Sequence, residues 1–435
     1  MLREMCGRPR VLDTWNSQFY EGDTMEKFNT VVIGAGQAGV AASEHLRTKG
    51  IDHVVLERGR IAERWRSERW DSLVANGPAW HDRFPGMEFS CDGETFVEKE
   101  SVAQYFEDYA RMIDAPVRTG VSVESVTPHT DRAGFLVETT QGDIDARYVI
   151  SATGPFQKPA IPPIIPETSD LIQMHSTAYR NPDALPSGSV LVIGGGSSGS
   201  QIAAELHDAG RQVYFSIGPH DRPPRRYRGR DNVWWLGVLG IWNMDTPAPG
   251  TEHVTIAVSG AHGGKTVDFR RLAEQGISLL GMSSGYENGV LQIADDLKTN
   301  LDAGDQNMLS LLEDADAYVA RTGIDLPEEP EAWIIPDDPT CVTDPIRSLD
   351  LAEHGITTII WATGFQFDYD WLKADALDEQ GRPIHNRGVS PVPGLYYVGL
   401  PWQSRRGSSF IWGVWHDAKF VVDQIDIQEN YRAYQ

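Results

Sequence analysis

No stretch of the 435 residues approaches the ~18 consecutive apolar positions that a membrane-crossing helix needs. Cysteine is scarce as well: Cys6, Cys91 and Cys341 stand far apart, so neither a disulfide framework, a CxxC dithiol nor a zinc cluster can be read from their spacing. Positive charge is in deficit, with 38 Lys and Arg against 62 Asp and Glu and a formal net charge of -24. Such a field repels polyanions, so neither nucleic acid nor an anionic membrane surface is expected as a partner. The first 24 residues contain no apolar core of a signal peptide; they read as an arm, Met25 is an alternative start, and a cytoplasmic location is expected. The remaining balance, 40% hydrophobic and 23% charged, is that of a globular chain long enough for two or three domains.

What the chain does have is glycine in two telling places. TVVIGAGQAGVAASEHL (30–46) is a short β-branched strand, a glycine turn and a helix-periodic segment stopped by Gly50. In it Gly34 permits the tight turn, Gly36 lets the backbone approach a pyrophosphate, and Gly39 allows helix to pack closely on strand; Ala35, Gln37 and Ala38 complete the cradle at the positive end of the helix dipole. The next strand, His53 to Leu56, ends in Glu57, 18 residues past Gly39 and placed to accept a hydrogen bond from a ribose 2′-OH, with Arg58 beside it. VLVIGGGSSGSQIAAEL (190–206) repeats the construction with Gly194, Gly196, Ser197, Ser198 and Gly199, a helix expected over Ser200 to Ala209, and a second strand Gln212 to Phe215. Its tip differs. Ser216 replaces the acid, and Arg222, Arg225, Arg226 and Arg228 follow, which suits a 2′-phosphate; Arg222 and Arg226 are the candidates to reach it. Two unlike nucleotides fit a bound FAD in the first unit and NADPH as reductant in the second.

PFQKPAIPPIIP (155–166), with five prolines, reads as an extended linker. YVISATG (148–154) and TIIWATG (358–364) are apolar strands ending in Ala-Thr-Gly, where small residues admit a close backbone or a cofactor; Thr153, Gly154, Thr363 and Gly364 are the cofactor candidates there. The expected architecture is α/β, with two dinucleotide-binding (Rossmann-like) domains. The paired Ala-Thr-Gly ends suggest that the chain leaves the FAD domain near Gly154 and returns near Gly364; as a discontinuous domain it is given 25–155 and 346–435, and the linker spans 156–166. The NADPH domain spans 167–345 and carries a long insertion over about 220–340. Helices are expected over Lys265 to Glu274, Asp305 to Thr322, and 408–425, the last capped by Ser408 or Ser409 with its N-terminus toward the flavin. VWWLGVLGIW (233–242) reads as a channel wall or an oligomer contact ahead of an interfacial membrane anchor.

Together with ERWRSERWDSLVANGP (63–78), these segments resemble the class B flavin-dependent monooxygenases, the flavin-containing monooxygenase-like family, over nearly all of residues 28 to 425. The resemblance implies that Trp65, Arg66 and Val123 contact FAD and that Asn76 hydrogen-bonds near the reacting flavin edge as the catalytic candidate. The family pattern FxGxxxHxxx(F/Y/W) falls on Ser169 to Tyr179: His175 and Tyr179 are kept as candidate cofactor-site residues, Ser169 and Leu171 replace Phe and Gly. GGGSSG stands for GxGNSG, and Ile217 stands where an arginine is usual. Tyr179 in place of tryptophan points away from Baeyer-Villiger chemistry and toward N-, S- or another activated C-oxygenation. The implied reaction is NADPH-fed reduction of FAD, capture of O₂ as a C4a-(hydro)peroxide, and transfer of one oxygen to a small organic substrate, with a homodimer as the candidate assembly. An NADPH dehydrogenase or quinone reductase and a non-catalytic redox sensor are the alternatives on the same scaffold.

Overall fold

The computed structural model describes residues 25–167, 171–245 and 255–434; the arm expected over 1–24, and Ser169, lie outside them. The first unit forms as its pattern requires. Val31 and Val32 are fully buried because the strand Glu26–Ile33 is covered on both faces, and the helix Gln37–Thr48 ends at Gly50, whose φ of +68° suits glycine. Glu26–Ile33 runs parallel to His53–Glu57 on one side and to Ile144–Ser151 on the other. These strands, with Val117–Thr119, Val123–Pro128, Phe135–Thr139 and Leu395–Tyr397, make a seven-stranded sheet.

The second unit repeats the plan in a five-stranded parallel sheet, in the order Ile172–His175, Ile356–Trp361, Ser189–Ile193, Val213–Ser216, Ser278–Leu280. This corrects one expected boundary. The pattern of the sequence places residues 346–361 in the first unit, yet Ile356–Trp361 lies inside the second sheet, where Ile359 and Ile360 are fully buried. A β-branched run apolar on both faces is stable only in the middle of such a sheet. The chain therefore returns to the first unit after Gly364.

The two crossings between units run side by side. Phe365 and Gln366 pair antiparallel with Pro159 and Lys158, the Ala160 N–H donates to Gly364 O at 3.0 Å, and Thr363 Oγ1 donates to Ala160 O at 2.5 Å. The proline-rich linker is thus half of a short ribbon joining the units.

Helix boundaries also move. The segment expected from Lys265 starts at Phe269, because Asp268 caps it by accepting the Arg271 N–H, and Leu297–Thr322 begins eight residues before the expected Asp305. The second glycine-turn helix is Ser197–Asp208, starting three residues earlier than expected. The C-terminal helix is Ile411–Arg432; Ser408 does not cap it, since its hydroxyl accepts the N–H groups of Ser404 and Arg405 in the preceding 3₁₀ turn. The tryptophan-rich 233–242 segment folds inward: Val233, Trp235, Leu236 and Trp242 are buried. Among the described residues no helix is long and apolar enough to cross a membrane.

Candidate functional site

The three glycines of the first turn do three different jobs. Gly34 has φ +102°, and a Cβ there would lie 2.9 Å from Ala152 O; at Gly39 a Cβ would lie 1.8 Å from Gly34 O. Both are forced by close backbones. A Cβ on Gly36 would meet nothing within 4 Å: this glycine faces open space at the start of the helix. Glu57 closes the turn from the strand tip, accepting the Ala35 and Gly59 N–H groups, each at 2.8 Å. A carboxylate has further lone pairs for a ribose hydroxyl.

In front of this turn lies a cavity of about 360 Å³. Ten of the residues expected from the sequence line it: Gly34, Gly36, Gln37, Ala38, Glu57, Arg58, Trp65, Val123, Thr153 and Gly154. The open cradle at Gly36, the acid at the strand tip and the helix N-terminus are the donor and acceptor set a dinucleotide needs, so these residues fit FAD. Arg66 does not belong to this wall. Successive residues of the helix Glu63–Ser67 turn by about 100°, and Arg66 points to the opposite side, bonded to Glu107 at 2.8 Å and facing Glu100 at 3.4 Å. Arg64 and Arg69 take its place. Arg64 bonds to Glu68 at 2.7 Å and to Gln157 O at 3.1 Å, and Arg69 lies over the Phe156 ring at 5.3 Å, its guanidinium pulled down to about 10 by burial. Sequence reasoning missed both, together with Phe156, Gln157, Asp368 and Trp371; the one signal was the arginine-rich segment itself.

The second turn has the same skeleton. Gly194 has φ +118°, and a Cβ there would lie 2.3 Å from Ala362 O; at Gly199 a Cβ would lie 1.9 Å from Gly194 O. Its open face is covered. Ser197 Oγ donates to Ile256 O at 2.8 Å and accepts the Val258 N–H at 3.2 Å, so the segment after Thr255 lies across the helix start, and a Cβ on Gly196 would be 3.3 Å from Thr255 Cγ2. Ser198 lies in the same first turn of the helix. The arginines expected at a 2′-phosphate are engaged with protein groups. Arg222 is 2% exposed and held by Asp305 (Nε–O 2.7 Å), and Arg226 turns to Gly263 O at 3.3 Å and the Phe96 ring at 5.9 Å. The acid-free tip remains, with Ser216 buried and donating to Gly281 O.

His175, Thr363 and Gly364 meet at the ribbon between units rather than in the first cavity: His175 Nε2 lies 3.0 Å from Gly364 O, and its ring sits edge-on to Phe365. Burial lowers the His175 pKa, favouring the neutral ring that donates to this carbonyl. Tyr179 is fully buried and donates to Glu205 at 2.7 Å, tying its segment to the second helix.

Asn76 lies in the wall of a second cavity of about 190 Å³. Its Oδ1 accepts from Gln201 Nε2 at 3.0 Å and its backbone carbonyl from Arg225 at 2.6 Å, so one residue of the first unit is held by two of the second. Trp242 and Phe410 wall this space, and His81, oriented by Asp82 at 2.7 Å, stacks on Trp242 at 5.7 Å. Of the readings of the 233–242 patch, the wall of a cavity describes its inward face. Gln37 lines the first cavity and donates to Ser409 O at 2.7 Å, next to Phe410 in the wall of the second.

Two glycine-turn units around two sheets make the Rossmann-like fold of the FAD/NAD(P)-binding oxidoreductases. The family model described as pyridine nucleotide-disulphide oxidoreductase matches residues 31–226. The chain belongs to the CzcO-like oxidoreductases: it is 34% identical over 401 residues to the uncharacterized oxidoreductase CzcO-like of Geobacillus kaustophilus, covering 91% of this chain and 98% of that one. The resemblance to flavin monooxygenases is borne out. The rice (Oryza sativa subsp. japonica) indole-3-pyruvate monooxygenase YUCCA1 is 29% identical over 180 residues, 40% of this chain and 44% of its own. The flavin-containing monooxygenase of Stenotrophomonas maltophilia shares the fold with TM-score 0.65 and 21% identity, over 93% of this chain and 99% of that one.

Proposed function

We propose that this protein is an FAD- and NADPH-dependent monooxygenase that transfers one atom of O₂ to a small organic molecule held in the second cavity. One observation carries the reading. The second cavity is walled by Asn76 of the first unit and Arg225 and Asn232 of the second, a place for a substrate beside, and distinct from, the dinucleotide cavity. The relatives named as monooxygenases support it. A dithiol relay is disfavoured because the three cysteines are widely separated.

FAD, when bound, supplies electron storage and O₂ activation. The chain's own part is positioning and exclusion of water. The amides of the first turn and the open face at Gly36 receive the pyrophosphate, Glu57 accepts from the ribose, and Trp65, Thr153 and Gly154 border the ligand. The Gln37 bond to Ser409 O fixes the start of the C-terminal helix next to the turn. Asn76, its amide orientation set by Gln201, presents a polar group to the substrate space, while the buried Trp242 and Leu236 give that space an apolar wall. NADPH is assigned to the second unit on its acid-free tip.

The test is NADPH oxidation under ¹⁸O₂ across amines, thioethers, indoles and ketones, scored for labelled product against released H₂O₂. Labelled product in at least one class is expected. Quinone reduction without any labelled product would make the protein a reductase, and failure of NADPH to bleach the flavin would make it a sensor.

A further inference from the structure

The second cavity contains a cation whose side-chain donors meet no hydrogen-bond acceptor among the described residues. Arg406 lies in its wall with its side chain 19% exposed, and among the described residues its guanidinium meets one charged group, Asp221, at 3.9 Å. That is beyond hydrogen-bond distance. Among the described residues its five N–H donors have no hydrogen-bond acceptor, and they remain open to the cavity and its water. Burial pulls this guanidinium below its usual range, and it pushes the Asp221 carboxyl up.

The other charged groups of the wall are committed or peripheral. Arg225 is paired with Asp231, and Asp82 accepts from His81 at 2.7 Å and from the Gly77 N–H at 3.0 Å; Asp314 is exposed. Asn232 also borders the space; it is 4% exposed, and its side-chain oxygen, itself enclosed and without a hydrogen-bond partner among the described residues, is an acceptor and takes no part in holding an anion. Between these polar points the wall is apolar, formed by Val233, Leu236, Trp242 and Phe410.

We propose that this cavity binds a small organic monocarboxylate with a flat apolar body, its carboxylate taken by Arg406 and its body laid against Trp242 and Phe410. The proposal rests on reading the cavity as the substrate site. A planar guanidinium matches a carboxylate in a two-bond fork. With Asp221 and Asp314 nearby, a phosphate dianion would leave uncompensated negative charge. A neutral or cationic ligand would leave the Arg406 donors unsatisfied at a cost comparable to losing hydrogen bonds to a charged group.

The experiment is calorimetric titration of the full chain, saturated with FAD, with 3-phenylpropionate, 3-phenylpropanamide and 3-phenylpropylamine. The acid should bind at least about tenfold more tightly than either analogue. Arg406→Gln should weaken the acid roughly 10- to 100-fold and leave the amide unchanged, and Arg406→Lys should restore part of the loss. Circular dichroism and flavin content report whether each variant folds; if Arg406→Gln does not, the wild-type ligand ranking and Arg406→Lys still decide. Failure of the acid to bind, binding no tighter than the amide or amine, or an Arg406→Gln variant with unchanged affinity overturns the proposal. The titration measures no oxygen transfer, so a failed ranking leaves the monooxygenase reading standing, and a failed ¹⁸O₂ experiment leaves the ranking standing.

Discussion

Gly36 and Gly39 belong to one fingerprint and yet should fail differently. Gly36 has φ −79°, an ordinary conformation for alanine, and open space where a Cβ would go, so Gly36→Ala should fold within about 1 kcal/mol of the parent. The added methyl would then stand where the pyrophosphate belongs, and FAD affinity should fall roughly tenfold or more, about 1.4 kcal/mol. Gly39→Ala places a methyl 1.8 Å from Gly34 O and should destabilise the apoprotein by roughly 2–3 kcal/mol. Melting curves of the apoprotein and quenching of flavin fluorescence separate the two; a Gly36→Ala protein that keeps parental FAD affinity would rule out this face as the phosphate cradle. These glycines were legible in the sequence because what each one needs is set by its immediate neighbours.

The arginines were not legible, because a charge run shows cations and hides the carboxylates that come to meet them. Arg222 is 83 residues from Asp305 and Arg228 is 88 from Asp316. Arg226→Gln should therefore leave the preference for NADPH over NADH within about twofold, whereas Arg222→Gln should cost roughly 2–3 kcal/mol by breaking a buried pair, moderated because Arg270 still holds Asp305. A steady-state comparison of both nucleotides and a urea titration test the pair. A large loss of NADPH preference in the Arg226 variant would restore the phosphate role.

At the scale of elements, the strands and turns of both units followed from β-branched runs ending in glycine, while the segment between Ser216 and Ile356 did not. Its long helix carries Asn300, Gly304 and Asp305 on its buried side, so the apolar periodicity that marks a helix is broken where it matters. The covering of the second turn by the segment after Thr255 was likewise invisible. It is held by the two Ser197 bonds, and it lies where a dinucleotide pyrophosphate would sit on a helix N-terminus. Ser197→Ala should loosen it. The expected result is a KM for NADPH about three- to tenfold lower, the equivalent of one or two neutral hydrogen bonds, with faster proteolytic cutting near residues 255–258. A higher KM would mean that the serine serves the nucleotide directly.

At the scale of the whole molecule, the two-unit plan could be read from the duplicated turns and a return near Gly364 from the paired Ala-Thr-Gly ends, but the boundary drawn at 346 put one strand in the wrong sheet. Ile356–Trp361 has the composition of a central strand in either sheet, and only its neighbours Ile172–His175 and Ser189–Ile193 decide which. The ribbon of Lys158–Pro159 with Phe365–Gln366 then joins the units at one place, where His175 bonds to Gly364 O from the second side.

The same molecule-wide view predicts an acid response. Burial lowers the pKa of His45, to about 4, and those of His53, His175, His220, His385 and His416. The unfolded chain, with histidines near the ordinary 6.5, binds more protons than the folded one between these values. Stability from this source is therefore complete above about pH 6.5 and is lost as pH falls toward the folded values. His45 alone accounts for roughly 3 kcal/mol. The carboxylates respond later; Glu63, held by hydrogen bonding from Arg60 at about 2, loses its contribution only as pH falls below the ordinary carboxylate range. Opposing both is the net charge of -24, since protonation relieves self-repulsion. At about 0.5 M salt that long-range repulsion is screened, while buried groups are screened much less. Urea midpoints measured in such salt should thus hold level from pH 7.5 to about pH 6.5 and fall steadily between there and pH 5. The fall should be shallower in His45→Gln, whose amide can still donate to the Trp415 carbonyl that His45 meets at 3.1 Å. A midpoint that holds level or rises between about pH 6.5 and pH 5 would mean that these rings carry no burial penalty when charged.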